Sequence, residues 1–250
     1  MIKRFLKWIK SLFCKKKKVA EKQYEMLWKD SFFINERWDT CNIGKSSWNK
    51  YMGGMPLFHT SEGGFTRFEC QTFAGTYNTD GVHTEEYLPD GKIVVVARFH
   101  GGHATWPAIW MSSENKSHDL ETYKDYFEID LSEYYENRPD TDTTYHFPKS
   151  MRKECKPQQV KTVITPEEWN EFVCEWGEDE LSVSINGKKV WSFKNNGDPD
   201  EYPLEEYQRR FKVILSMQYG SKWLSDPVDS ELPLWMDVKS VEYWRRVYEN

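Results

Sequence analysis

Three acidic residues fall within six positions, in the segment Glu128-Ile129-Asp130-Leu131-Ser132-Glu133. The apolar and aromatic residues around them predict a β-strand. Strand side chains alternate between two faces, so Glu128 and Asp130 share one face, and a one-residue bulge at Leu131 or Ser132 would bring Glu133 to the same side. Crowded carboxylates repel, which raises at least one pKa and separates a proton donor from an ionised partner. Such a division of roles suits cleavage of a glycosidic bond; the alternative interpretation is a solvated acidic edge strand.

The composition favours a sugar partner over nucleic acid. Aromatic residues make up 16% of the 250 residues, enough to fill a core and also to supply stacking surfaces for sugar rings. Residues 1–18 carry eight basic side chains and no acidic one, which leaves 26 basic and 40 acidic residues in the remainder. Phosphate binding requires a basic groove, so the acidic body argues against nucleic acid. A neutral polysaccharide is compatible with it.

Residues 1–23 form a tail of distinct character. Apolar residues recur at helical spacing with lysines between them, which predicts a short basic amphipathic helix. A lysine run follows, and we expect residues 1–18 to contact an anionic membrane surface. The alternatives are a disordered basic tail or an imperfect export signal. The apolar stretch is too short to span a membrane and lacks a small-residue cleavage site, so we expect neither a transmembrane span nor a cleavable signal peptide. The residues leave the location open, and an extracellular or cell-surface one is favoured.

Residues 24–250 are predicted to form one β-rich domain. Asn186-Gly187, between the alternating Leu181–Ile185 and the returning Lys188–Phe193, predicts a hairpin. Helical patterns are restricted to Thr165–Asn170 and Leu204–Arg210. Five scattered cysteines show neither a disulfide framework nor zinc-ligand spacing. Many strands without long helices indicate a β-sandwich. The other strand candidates are Gly64–Thr76, Lys92–His100, Tyr126–Tyr134, Gln158–Ile164, Trp169–Trp176 and Phe211–Gln218.

The order of motifs around the acids resembles a known family. Trp106-Pro107-Ala108-Ile109-Trp110 precedes the acidic strand, Thr144-Tyr145-His146 follows it, and Gln218-Tyr219-Gly220-Ser221-Lys222-Trp223 comes before a closing strand at Pro233–Tyr243. This order is similar to glycoside hydrolase family sixteen, the laminarinase, lichenase and agarase group, in its bulged ExDxxE form. The resemblance implies an all-β fold: a concanavalin A-like jelly-roll β-sandwich of two curved antiparallel sheets, with the acids on the concave sheet.

The resemblance also implies roles for the acids. Glu128 would be the nucleophile and Glu133 the general acid/base, with Asp130 between them tuning the nucleophile; a purely structural Asp130 is the alternative. Retaining hydrolases use two carboxyl groups about 5–5.5 Å apart in this way. We predict that five further residues bind substrate: Trp106, Trp110, Tyr126, His146 and Trp223. The alternatives are core packing for one of the two strand tryptophans and a surface-loop position for His146.

Several positions depart from the family pattern. Ser216 and Ser221 replace a frequent asparagine and a glycine, and Asp125-Tyr126-Phe127 replaces a smaller residue before the first catalytic glutamate. Many members carry an acidic calcium ligand in the closing strand, where this chain has Lys239 beside Asp237, so a structural calcium ion is doubtful. We expect no required cofactor and no catalytic metal. His100-Gly101-Gly102-His103 is interpreted as a glycine turn because a third ligand is missing.

These observations lead to one hypothesis with two alternatives. We expect an endo-acting, retaining glycoside hydrolase, monomeric, that cleaves a β-1,3- or mixed-linkage glucan, or a galactan. The alternatives are a carbohydrate-binding, lectin-like domain without turnover and a transglycosylase. Neither has been excluded by the residues alone, although a binding module would not need three crowded acids.

Overall fold

The computed structural model describes residues 22–31, 36–40, 58–61, 63–73, 76–79, 81–117 and 121–248. The predicted amphipathic helix, with its membrane-binding residues 1–18, lies outside these residues. In chain order the strands are β1 (Gln23–Asp30), β2 (Trp38–Thr40), β3 (Phe58–Ser61), β4 (Phe65–Phe73), β5 (Thr76–Asn78), β6 (Gly81–Thr84), β7 (Gly91–His100), β8 (Thr105–Ser113), β9 (Glu128–Glu133), β10 (Asp140–His146), β11 (Gln158–Val163), β12 (Asn170–Trp176), β13 (Glu180–Ile185), β14 (Lys188–Lys194), β15 (Phe211–Tyr219) and β16 (Leu234–Val247). Helical structure in the described residues is limited to α1 (Pro148–Met151) and the 3-10 turns Tyr207–Arg209 and Asp229–Glu231.

Within the described residues the strands form two antiparallel sheets. The seven-stranded sheet has the order β11-β10-β9-β8-β15-β6-β2. The nine-stranded sheet has the order β14-β13-β12-β7-β16-β4-β3, with β1 paired to β16 and β5 paired to β4. The predicted all-β jelly-roll sandwich of two antiparallel sheets is therefore confirmed. None of the described helices has the length and apolar character needed to cross a bilayer.

The core lies between the two sheets and fixes which way each strand faces. Along β7 every second residue is buried, and Phe99 stacks on Tyr134 at 5.3 Å between ring centroids, just beyond the end of β9. On β9 itself Ile129 and Leu131 are fully buried in this core. Because neighbouring strand residues face opposite ways, Glu128 and Asp130 must project from the other side of the sheet.

The hairpin prediction is confirmed. Asn186 and Gly187 link β13 to β14 with φ values of 51° and 75°, the left-handed conformation that a two-residue turn of this kind requires. Leu181, Val183 and Ile185 alternate inward and are buried.

Both helical predictions are wrong. Asn170 instead starts β12, and its side-chain amide donates to the carbonyl oxygens of Thr165 (2.9 Å) and Glu168 (2.7 Å), closing a turn. In Leu204–Arg210 only the 3-10 turn forms, and the Arg209 side chain donates to Asp90, with its Nε 3.1 Å from Oδ1. A closed turn in the first segment and a 3-10 turn in the second replace the predicted helices, so local helical preference is a weak guide in both places.

Candidate active site

The bulge predicted in the acidic strand is present. Against β8, Glu133 pairs with Ala108 and Asp130 pairs with Trp110, and the register shifts by one residue between these pairs. Against β10, Glu133 pairs with Asp142 and Asp130 with Thr144, again with a shift. The extra residue restores the parity that simple alternation would break. Glu128, Asp130 and Glu133 consequently line the same cleft.

This cleft has a volume of about 360 Å³ and lies on the outer face of the seven-stranded sheet. Its walls include all eight residues that the sequence suggested as catalytic or substrate-binding: Trp106, Trp110, Tyr126, Glu128, Asp130, Glu133, His146 and Trp223. The sequence did not point to several other lining residues, of which Tyr135, Thr144, Gln159 and Gln218 are polar. Thr144 could have been found, because its position on a strand next to β9 gives it the same face as His146.

The Glu133 carboxyl is buried and held at both oxygens. The Tyr135 hydroxyl donates to Oε1 at 2.7 Å and the Thr144 hydroxyl donates to Oε2 at 2.8 Å. Burial raises the pKa of Glu133 above its usual range, although the two hydroxyl groups partly offset this effect. A carboxyl with a raised pKa retains a proton nearer neutral pH and can act as a general acid.

Glu128 is the least buried acid of the three, with 19% of its side chain exposed. The Tyr126 hydroxyl makes a short hydrogen bond to its Oε2. Burial and the charge of Glu128 keep the pKa of Tyr126 well above its ordinary value, so the phenol remains a donor. Tyr126 thus contacts the carboxylate directly, in addition to lining the cleft.

Asp130, which is buried, and His146, which is half-buried, form a pair beside Glu128. The His146 Nε2 lies 3.4 Å from Asp130 Oδ2 and 3.9 Å from Glu128 Oε1. Burial lowers the pKa of His146, but hydrogen bonding to Asp130 and the charges of the three acids raise it to about 9. Burial, followed by the charges of Glu133 and Glu128, raises the pKa of Asp130 well above its usual range. Because the pKa values of His146 and Asp130 are both raised, the pair retains a proton at neutral pH.

The same pair, together with Glu128, is also close enough to raise the question of a metal ion. Ligand atoms of Glu128, Asp130 and His146 lie within 4.8 Å of one another. The imidazolium already supplies positive charge between the two carboxylates, so we do not treat these residues as metal ligands. The expectation that catalysis needs no metal remains a prediction.

Aromatic side chains form one wall of the cleft. The Trp106 ring lies 5.5 Å from the Tyr135 ring and contacts Trp223 edge-on at 5.3 Å. Trp223 is 55% exposed, which leaves a ring face free at the cleft rim. It follows Gly220, whose φ of 73° allows the chain to turn there. Trp110, two strand positions beyond Ala108, donates from Nε1 to Ser216 Oγ at 3.1 Å.

The departures from the family pattern have local roles. Ser216, which replaces an asparagine, anchors the Trp110 indole as described. Asp125 accepts hydrogen bonds from the Tyr207 hydroxyl at 2.8 Å and the Gln208 amide at 3.1 Å. This tether fixes the segment that carries Tyr126 into the cleft.

The closing strand β16 does not present a calcium ligand at Asp237. This fully buried carboxylate accepts from Arg67 at 2.7 Å and 2.9 Å and from Arg98 Nε at 3.0 Å. Both oxygens are therefore satisfied by guanidinium groups, and the negative charge is compensated. The residues here do not fit a calcium ion, in line with the doubt raised by Lys239; a calcium site elsewhere is untested.

The two histidines of His100-Gly101-Gly102-His103 have separate partners. His100 Nδ1 lies 3.1 Å from Glu167 and His103 Nδ1 lies 2.6 Å from Glu231. A Cβ atom on Gly101 would lie 1.8 Å from the Glu136 carbonyl oxygen, so only glycine fits. The segment is a tight turn before β8, as predicted.

A jelly-roll sandwich that places three carboxyl groups and several aromatic rings in one cleft has the groups that a glycosidase of the β-sandwich class requires. The model for the glycosyl hydrolases family 16 matches residues 21–231, and the chain belongs to this family. The family predicted from the motifs, and with it the glycosidase class, is confirmed.

Two curated relatives match most of the chain. A keratan-sulfate endo-1,4-beta-galactosidase from Sphingobacterium multivorum is 24% identical over 242 residues, covering 91% of this chain and 56% of the relative. A beta-glucanase from Rhodothermus marinus is 22% identical over 226 residues, covering 80% and 77% of the two chains. The chain thus spans little more than half the length of the galactosidase.

Solved laminarinases share the fold. The structure from Flavobacterium sp. UMI-01 has a TM-score of 0.73 and 19% identity, covering 88% of this chain and 100% of that one. The laminarinase from Rhodothermus marinus has a TM-score of 0.74 and 19% identity, covering 91% and 99%.

Proposed function

We propose that this chain is an endo-acting, retaining glycoside hydrolase that cleaves β-linkages within a polysaccharide by double displacement. The observation that carries the proposal is the placement of Glu128 and Glu133 in one cleft with different environments. Glu133 is buried, with a raised pKa, whereas Glu128 is more exposed and has a phenol donor. Such a pair supplies one proton donor and one nucleophile.

In the first step, Glu128 attacks the anomeric carbon as the bond from that carbon to the glycosidic oxygen breaks. Glu133 transfers its proton to the departing oxygen, and the sugar is left esterified to Glu128. The charge of Glu128 is now lost, which lowers the proton affinity of neighbouring acids. In the second step, Glu133 takes a proton from water as the water oxygen attacks the anomeric carbon, and Glu128 leaves as a carboxylate.

The Asp130–His146 pair contributes to these steps indirectly, by positioning groups and compensating charge. A positioning role suits Asp130, because its Oδ2 lies 3.4 Å from His146 Nε2, which in turn lies 3.9 Å from Glu128 Oε1. The imidazolium of His146 offsets the charge of the carboxylates when Glu133 is ionised. The three acids therefore have different proposed roles: Glu128 is the nucleophile, Glu133 the acid/base and Asp130 a positioning residue.

The substrate is proposed as a β-glucan or a β-galactan. The curated relatives are named for one of each. Stacking rings at Trp106 and Trp223 suit either sugar, because both present an apolar face to an aromatic ring. A reducing-sugar screen over laminarin, lichenan, agarose, carrageenan, xyloglucan and keratan sulfate would decide between them, and proton NMR of early products would show whether the β-configuration is retained.

Variants of the two glutamates test the mechanism. Glu128→Gln and Glu133→Gln should each reduce turnover by at least about 100-fold while leaving the circular dichroism spectrum unchanged. Glu171→Gln, an exposed position on β12 of the other sheet, is the matched control. Unchanged turnover in either cleft variant would overturn the assignment.

Azide rescue separates the two roles. With an activated aryl β-glycoside of the identified sugar, Glu128→Ala plus azide should give the α-glycosyl azide, since azide replaces the nucleophile. Glu133→Ala should give the β-glycosyl azide, since azide replaces water in the second step. The reverse pattern would exchange the roles of the two residues.

A further inference from the structure

We propose that Tyr135 and Thr144 are positioning residues that hold the Glu133 carboxyl in its working orientation and set the balance between its acid and base forms. This inference rests on the proposed function, because it assigns a purpose to the contacts of the acid/base. It concerns the chain's own geometry, however, and is testable without substrate.

The two hydroxyl groups grip the carboxyl from different elements. Tyr135 follows β9 and donates to Oε1 at 2.7 Å, while Thr144 lies on β10 and donates to Oε2 at 2.8 Å. With both oxygens fixed, the plane of the carboxyl cannot rotate without breaking a hydrogen bond. General acid catalysis depends on this orientation, because the proton must point at the glycosidic oxygen.

The Tyr135 and Thr144 hydroxyl groups together, here called the clamp, favour the ionised form of Glu133. A carboxylate accepts from both hydroxyl groups, whereas a protonated carboxyl must turn one of its own oxygens into a donor. Both hydroxyl groups therefore lower the pKa of Glu133, against burial, which raises it. The clamp is thus fully engaged once the proton has moved to the leaving oxygen, which is the state in which Glu133 must act as a base.

Other charged groups face the same carboxyl and must be held constant in any test. Glu128 and Asp130 lie on its own strand, and their charges oppose ionisation of Glu133. His146 on β10 favours ionisation, and Asp142 lies directly across from Glu133 in the register of β10. From β8, the facing residues Trp106 and Ala108 carry no charge.

Packing holds the Tyr135 ring independently of its hydroxyl. The ring lies 5.5 Å from Trp106, and the Arg138 guanidinium sits 4.8 Å from its centroid. Replacement by phenylalanine keeps both contacts and removes only the donor. Tyr134 provides a matched control, because it is the neighbouring tyrosine and its ring stacks on Phe99 in the core.

The test is a carbon-13 NMR titration of protein labelled at the side-chain carboxyl of glutamate. The Glu133 signal is assigned by its absence in Glu133→Gln. Tyr135→Phe should raise the titration midpoint of Glu133 by about one pH unit, the typical effect of losing one hydrogen bond to a charged group. Thr144→Val should raise it similarly, and Thr144→Ser, which keeps a hydroxyl, should restore it. Tyr134→Phe should leave it unchanged.

On the polysaccharide identified by the screen, the alkaline limb of kcat/KM should move upward by the same amount. An unmoved midpoint in both Tyr135→Phe and Thr144→Val would overturn the inference. If the Glu133 midpoint moves but the protein cleaves no glucan or galactan, the result supports the clamp and counts against the proposed hydrolase function. If one variant fails to fold, the other decides the outcome.

Discussion

Replacing His146 by glutamine should remove most of the loss of folding stability that we expect between pH 6.5 and 9. In the folded state the carboxylates around His146 raise its pKa to about 9, from an ordinary value of 6.5. Below pH 6.5 the imidazole is charged in both folded and unfolded chains, and its attraction to Asp130 and Glu128 contributes fully. Between the two values only the folded chain binds the proton, so stability falls as pH rises.

The magnitude follows from the shift. A change from 6.5 to about 9 corresponds to an upper limit of about 3.4 kcal/mol. Two features reduce it: 27% of the side chain is exposed, and Asp130 shares the same proton. We therefore expect a loss of about 2 kcal/mol across this range in the parent chain.

Urea unfolding at pH 6.5, 7.5, 8.5 and 9.5 would measure it. The free energy of unfolding of the parent should decrease over this series, and that of His146→Gln should decrease much less. His83→Gln is the control, since the half-buried His83 ring has Nδ1 2.9 Å from a backbone carbonyl oxygen. Parallel curves for the parent and His146→Gln would refute the reasoning, because they would show that His146 does not hold the extra proton.

Two further predictions concern single side chains. Trp223→Ala should raise KM about tenfold with little change in kcat, which is equivalent to about 1.4 kcal/mol of lost stacking. Trp169→Ala is the control: it removes another exposed indole, one that contacts Phe65, and should leave KM unchanged. Asp237→Asn should lower the free energy of unfolding by about 3 kcal/mol, because Arg67 and Arg98 lose their buried counter-ion. Asp179, which pairs with Arg246, is 57% exposed, so Asp179→Asn should lower the free energy of unfolding by less than about 1 kcal/mol in the same urea titration. Equal losses for the two variants would contradict the role given to burial.

The features that the sequence could predict are those set by local periodicity. Two-residue alternation places Glu128 and Asp130 together, and the spacing to Glu133 requires a bulge that β8 and β10 both accommodate. The Asn186-Gly187 turn follows from the left-handed conformation that these residues tolerate. In each case neighbours in the chain determine the geometry.

The remaining features depend on contacts between distant segments. The Thr144 hydroxyl reaches Glu133 because the bulge changes the register of β9 against β10. Tyr135 turns into the cleft just before Glu136, which adopts a φ of 56°. The Arg67–Asp237 pair joins residues 170 positions apart. No pattern within one segment specifies these pairings.

We propose that the different burial of the acids along one strand sets their different roles. Asp130 and Glu133 are 4% and 8% exposed, so ionising both beside Glu128 would place three negative charges close together, two of them on buried side chains. Burial raises the pKa of Glu133 and of Asp130, and the charges of the acids raise the pKa of His146, so each shift favours a bound proton and limits this cost. Glu128, nearest to solvent and held by Tyr126, is then the carboxylate available for attack. The proposed roles therefore follow from how deeply each acidic side chain is buried. The bulge contributes to this, because it brings Glu133 to the same face as the other acids but at a different distance from solvent.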